Sequence, residues 1–135
     1  MSITLSKFCA YFLTSLVAFF APILYAFYIV IALVFIDTAF GIMRAGKRDV
    51  KQIKSRKLFS LVTKSTAYFL LVILAQSISY VEPQIPFVKL ALFGIGFIEI
   101  KSIDENFRGI FGYSFIDKIL QALKFVKDIK RKGEK

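Results

Sequence analysis

Two long stretches of the chain carry no charged residue, and they constrain its fold more than any other feature. Residues 8–36 and residues 65–81 contain no Asp, Glu, Lys or Arg. Between them, residues 44–64 hold eight Lys or Arg and one Asp. Long uncharged stretches separated by a basic segment are typical of α-helical proteins that cross a membrane several times. The pattern therefore predicts an all-α integral membrane protein.

Composition supports this interpretation and excludes several other classes of protein. Of the 135 residues, 57% are hydrophobic, although the formal net charge is +10. A soluble domain of this length would expose a large share of its surface to water, which disfavours so apolar a chain. The single cysteine, Cys9, cannot form an internal disulfide, and the chain has no histidine. Because histidine is the usual proton shuttle and the commonest metal ligand, we expect no enzyme, cofactor or metal site.

The apolar segments predict about three transmembrane helices, at residues 22–43, 61–81 and 86–107. As one helix, the first uncharged stretch would be about 43 Å long, against about 30 Å of hydrocarbon. Pro22 lies near its middle, where proline either kinks a helix or occupies its first turn. Residues 8–21 are therefore expected to lie in the membrane interface or to belong to a single kinked first span.

The charge distribution predicts the orientation of these helices. Basic residues in short loops stay on the cytoplasmic side, which places residues 44–64 inside and the non-basic turn at 82–86 outside. Residues 99–135 carry nine Lys or Arg and are also expected inside. Three spans with the N-terminus outside satisfy these constraints, whereas a hairpin in the first stretch would place the N-terminus inside. The chain then divides into a membrane domain, 1–112, and a cytoplasmic segment, 113–135.

The cytoplasmic segment is predicted to form a basic amphipathic helix. Between residues 114 and 131, apolar residues recur at helical spacing with charged residues opposite. Such a helix beside the inner membrane face is suited to lie on anionic lipid. Packing against a neighbouring subunit is the alternative, and both can hold together. The basic residues expected at the lipid surface are Lys118, Lys124, Lys127, Lys130 and Arg131.

Polar residues that interrupt the apolar segments are the candidate functional residues, because charges at membrane depth are rare and usually functional. One group begins at Asp37 near the inner end of the first span, and another begins at Glu99 with the spacing i, i+3, i+7. We predict a hydrogen-bonded seam between the first and third spans, or a pore lining. Its proposed residues are Asp37, Thr38, Gly41, Arg44, Lys89, Glu99, Ser102, Glu105 and Asn106.

Simpler structural roles remain open for several of these residues. Asp37 is also placed to pair with Arg44 on its own helix, and Lys89 is also placed to extend its ammonium to the membrane surface. Glu99 and the residues after it would also suit a solvated extension of the third helix. Gly94 and Gly96 are predicted to permit close packing of another helix.

Two motifs carry a resemblance to a known family. The first is DTAFGIMRA at 37–45, with a D-x-x-x-G-I pattern, and the second is IEIKSIDENFRGIFG at 98–112, with an E-x-x-S-I-x-E-N pattern. In this order and spacing they resemble the phage-lysis and toxin-secretion holin family. The second motif matches well, while in the first Phe40 stands where the family usually has Thr.

The resemblance implies a function that composition does not reveal. Holins accumulate in the bacterial cytoplasmic membrane, oligomerise and open lesions that release a cell-wall hydrolase or, in some relatives, export a toxin. We therefore expect a homo-oligomeric pore-former that contacts anionic lipid and serves such a passenger. A non-lytic anchor or channel subunit of a larger secretion or phage machine is the alternative, and a small ion or proton channel is a third. No nucleic-acid partner is expected, because the basic segment lies between two spans.

Overall fold

A computed structural model of the chain describes residues 2–46 and 50–133, and over these residues it contains helices and no strand. The prediction of an all-α protein is confirmed for this part of the chain. A single 3₁₀ turn, Ala21–Ile23, joins the first two helices. The helices are α1 (Ser2–Phe20), α2 (Leu24–Ala45), α3 (Val50–Val81), α4 (Phe87–Phe111) and α5 (Phe115–Gly133).

Two helical stretches, Leu5–Ala45 and Leu58–Val81, are long and apolar enough to cross a membrane, which supports the prediction of a membrane protein. The first contains 41 residues, or about 60 Å of helix, twice the thickness of the hydrocarbon region. α4 is about 37 Å long, but it carries six charged residues. The basic segment predicted as a loop is partly helical, because α3 begins at Val50; the side chains of residues 47–57 lie outside the described part.

Pro22 breaks the first stretch without reversing it. Proline lacks the N–H that would continue the helical ladder, and the chain forms a short 3₁₀ turn there. The residues on both sides, Phe20 and Leu24, keep right-handed helical angles, and α1 does not pack along α2 as it would in a hairpin. α1 contacts the bundle where the ring of Phe19 stacks on Tyr80, with centroids 5.7 Å apart.

α2, α3 and α4 pack into a three-helix bundle around a narrow apolar core. On α2, Ala26, Val30 and Val34 follow one another at intervals of four, which places them on one face. The same face continues toward the C-terminal end of α2 with Asp37 and Gly41, which are also buried. The core is formed by Ile23, Ala26, Val30, Val34, Val72, Ala75, Val88 and Ile95.

The corner between α4 and α5 is fixed by a glycine and by a buried carboxylate. Gly112 ends α4 with a φ of 82°, a left-handed conformation that favours glycine. Ser114 then caps α5: its hydroxyl oxygen accepts the backbone N–H of Asp117 at 3.0 Å. The buried carboxylate of Asp104 accepts the Ser114 hydroxyl at 2.8 Å and the N–H of Ile116 at 3.2 Å. Most of α5 beyond this corner is exposed.

Replacing Asp104 by alanine is expected to loosen the start of α5, because the hydroxyl of Ser114 and the N–H of Ile116 lose their acceptor. Loss of a helix cap costs about 0.5–2 kcal/mol, so amide exchange in the first turn of α5 should accelerate about twofold to thirtyfold. Asp128→Ala, at an exposed position of α5, is the matched control and should leave that exchange unchanged. Equal exchange in the two variants would contradict the capping role.

Candidate functional site

Polar side chains from all three helices of the bundle meet at one point of its interior. The charged groups lie directly beyond the apolar core, where Asp37 follows Val34 on α2 and Glu99 follows Ile95 on α4. We name this group the polar cluster. Its members are Asp37 from α2, Lys64 and Tyr68 from α3, and Glu99, Ser102 and Asn106 from α4.

Asp37 connects α2 to both other helices of the bundle. Its Oδ2 lies 2.7 Å from the Nζ of Lys64. Its Oδ1 accepts the hydroxyl of Ser102 at 2.7 Å and the side-chain amide of Asn106 at 2.9 Å. Both carboxylate oxygens are therefore bonded, one to a cation and one to two neutral donors, and the side chain is buried.

Glu99 is the most deeply buried charged residue of the cluster, with no exposed side-chain surface. Its Oε1 accepts the hydroxyl of Tyr68 at 2.6 Å and lies 3.1 Å from the Nζ of Lys64. Lys64 thus lies between the carboxylates of α2 and α4 and pairs with both. One partly buried ammonium group, with 30% of its side chain exposed, therefore pairs with two buried acidic groups.

The cluster is tolerable inside an apolar bundle because its polar groups have partners. Burial of an unpaired charge is costly, whereas a buried charge with an ion pair and hydrogen bonds offsets most of that cost. Among the described residues, every buried side-chain nitrogen and oxygen has a hydrogen-bond partner. The described residues also hold no group of three or more His, Cys, Asp or Glu suited to bind a metal. The arrangement is suited to clamp three helices together, and it would present polar walls where those helices separate.

The structure brings together four residues of the predicted seam in the polar cluster: Asp37, Glu99, Ser102 and Asn106. Thr38 and Gly41 are buried on α2 beside them. Arg44 bonds elsewhere: its Nη1 donates to the backbone carbonyl of Glu105 at 3.4 Å, and its side chain lies over Gly109. Asp37 pairs with Lys64 of α3, and no ion pair joins it to Arg44 among the described residues.

Four other predicted residues lie apart from the polar cluster. Lys89 is exposed in the first turn of α4, and the side chain of Glu105 is exposed near its end. At Gly94 and Gly96, a side chain would meet nothing within 4 Å. These glycines therefore do not pack against another helix of the same chain.

Lys64 and Tyr68 belong to the cluster although the sequence did not single them out. A lysine near the inner end of a span is also suited to extend its ammonium to the membrane surface. Lys64 is the only charged residue between Leu58 and Val81, and Tyr68 lies one turn further on the same helical face. A lone lysine in an otherwise uncharged span, with buried acids predicted on two other spans, is the signal that could have identified this ion pair.

Comparison with protein families agrees with the motifs that form this site. The model of the bacteriophage holin family matches residues 12–128, which include the polar cluster, the α4–α5 corner and most of α5. No curated protein and no solved structure matches the chain. Because the family model covers far more than half of its length, the chain belongs to the bacteriophage holin family.

Proposed function

We propose that the chain is a homo-oligomeric pore-former that permeabilises the bacterial cytoplasmic membrane, for phage lysis or for protein export. In this proposal α2, α3 and α4 are the three spans, and α1 lies at the outer interface or extends the first span. The basic segment up to the candidate span that begins at Leu58, and α5, face the cytoplasm, while the turn between α3 and α4 faces outward. Membership of the holin family supports the membrane setting and self-association.

The observation that carries the proposal is a charged cluster inside a bundle too narrow to hold a channel. The interior of the described bundle is filled by apolar side chains on one side of the cluster. A pore must therefore form between copies of the chain. Polar groups at membrane depth favour helix association, because they avoid lipid by bonding to one another. The same groups would line water if α2, α3 and α4 were rearranged in an assembly.

α5 adds a surface suited to the cytoplasmic leaflet. Its apolar residues are exposed at spacings that place them on one side, including Ile119, Leu123 and Val126. Its basic residues favour anionic lipid, at about 1 kcal/mol for each residue near the surface. Asp117 and Asp128, eleven residues apart, share the side of α5 opposite its apolar face. When the apolar face is buried in the membrane, these acids therefore point away from the lipid.

The proposal is tested by inducing expression of the chain in a bacterium and following the membrane potential with a voltage-sensitive dye. We expect growth arrest and collapse of the potential once the protein has accumulated. An unrelated three-span protein, produced to the same level in the membrane, controls for the stress of overproduction. Co-expression of a cell-wall hydrolase or a small exported protein distinguishes the two kinds of passenger.

A chain that inserts at the control level and leaves the potential intact would overturn the pore-forming role. That result would favour the alternative function, an anchor or channel subunit of a larger secretion or phage machine. Co-purification of a fixed partner, lost when the chain is truncated after Gly112, would then support the alternative, because truncation there removes α5 and spares the bundle.

A further inference from the structure

The outward surface of α4 is divided into two different stripes. At about 100° per residue, Gly94, Ile98, Lys101 and Glu105 fall within about 60° of one another. We name these four residues the pairing stripe. Phe93 and Ile100, by contrast, lie about 120° further round the helix and present apolar side chains. Lys89, an exposed charged residue on that side, lies in the first turn at the outer end. One outward side of α4 is therefore suited to lipid, and the other is not.

Lys101 and Glu105 have exposed side chains, and neither has an ion-pair partner among the described residues. They follow Phe87, at the outer end of α4, by about 21 Å and about 27 Å of helix. In a hydrocarbon region about 30 Å thick, both belong to its inner part when α4 spans the membrane. Lys101 then lies about 9 Å from the inner edge of that region and Glu105 about 3 Å. A charge that faces lipid is therefore costly chiefly at Lys101, and a polar partner there is favoured.

The shape of this surface is suited to another helix. A groove of about 390 Å³ is lined by Phe97, Ile98, Lys101, Ser102 and Glu105. One turn closer to the outer end, the space over Gly94 is open, which permits a close approach of backbones. Ser102, which lines the groove, also donates to Asp37, so this one residue belongs to both the groove and the polar cluster.

We propose that a second copy of the chain packs on the pairing stripe about a two-fold axis along the membrane normal. Two copies in one membrane have parallel α4 helices at equal depth. The two-fold axis then brings Lys101 of each copy beside the partner's Glu105, so one contact forms two ion pairs and pairs all four charges. This self-complementary charge pattern selects a second copy over lipid, which offers no such pair. The inference rests on the proposed function for the membrane position of α4 and for self-association.

Charge reversal tests the pairing directly. In K101E the contact brings four acidic groups together, and in E105K it brings four basic groups together, so each variant alone should lose cross-linked dimer about tenfold. Co-expression of the two variants restores both ion pairs in the mixed dimer and should restore the dimer band. A salt bridge within one α4 helix would not be restored by mixing. Single variants that dimerise like the unchanged chain, or a mixture that stays monomeric, would overturn the proposal.

A cysteine pair provides a second measurement that does not depend on charge. With Cys9 replaced by serine, I98C and I100C exchange two exposed isoleucines of neighbouring depth on opposite sides of α4. Oxidation of isolated membranes should give a disulfide-linked dimer with I98C and not with I100C. Equal cross-linking, or cross-linking of I100C alone, would overturn the pairing. Cross-linking of I98C without collapse of membrane potential would instead refute the pore-forming role and leave the pairing intact.

Discussion

Replacing Lys64 by methionine is expected to lower the free energy of unfolding by about 3–5 kcal/mol, the range for breaking a buried ion pair. Methionine keeps an unbranched side chain but removes the ammonium group that pairs with the carboxylates of Asp37 and Glu99. Two buried acidic groups would then share the interior of the bundle with no cation beside them, which leaves their charges uncompensated. Unfolding by a graded denaturing detergent in mixed micelles measures the loss.

Two further variants separate this effect from a general sensitivity to lysine replacement. Lys89→Met makes the same change at an exposed position of α4 and should shift the free energy of unfolding by no more than about 0.5 kcal/mol. Adding Glu99→Gln to Lys64→Met should recover part of the loss, because one uncompensated carboxylate becomes neutral. Equal effects of Lys64→Met and Lys89→Met would show that Lys64 does not hold the bundle together.

Replacing Asp37 by alanine is the change with the second largest expected effect, about 3 kcal/mol or more. Its carboxylate accepts bonds from Ser102 and Asn106 and pairs with Lys64, so three donors lose an acceptor at once. Asp37→Asn should cost less, because an amide oxygen still accepts the two neutral donors but does not neutralise the ammonium. The same detergent titration measures both variants.

Asp117→Ala is the matched control for the aspartate series. Asp117 also contacts a cation, Arg108 at 3.2 Å, but both side chains are more than half exposed. An exposed ion pair contributes about 0–1 kcal/mol, so this variant should remain close to the unchanged chain. We expect the order of stability to be Asp117→Ala, then Asp37→Asn, then Asp37→Ala. An Asp37→Asn variant as stable as the unchanged chain would contradict the buried ion pair.

The residues of the polar cluster on α2 and α4 could be predicted from sequence, because they interrupt apolar helices at helical spacing. The stripe from Glu99 to Asn106 faces the bundle as that spacing requires. Lys64 was not predicted as part of the site, because a lysine near the end of a span is equally suited to reach the membrane surface. Only the rotation of α3 about its axis decides between these positions, and that rotation depends on packing against two other helices.

Arg44 illustrates a second limit of spacing arguments. It lies on the same face of α2 as Asp37, but seven residues further, or about 10 Å along the axis. Its long side chain reaches across to α4 over Gly109 and bonds to a backbone carbonyl there. The break at Pro22 was likewise predictable from the properties of proline, whereas the absence of a reversal depends on backbone angles that the sequence leaves open.

The position of Lys64 between two acids has a consequence for the order in which the bundle assembles. α2 and α4 carry carboxylates at the same level, so these two helices alone would bring like charges together without a cation. α2 and α3, which come first along the chain, already contain the pair of Asp37 with Lys64. Glu99 of α4 then meets the ammonium of Lys64, which is already paired with Asp37. α4 therefore packs on a hairpin of α2 and α3 that already contains the cation its carboxylate needs.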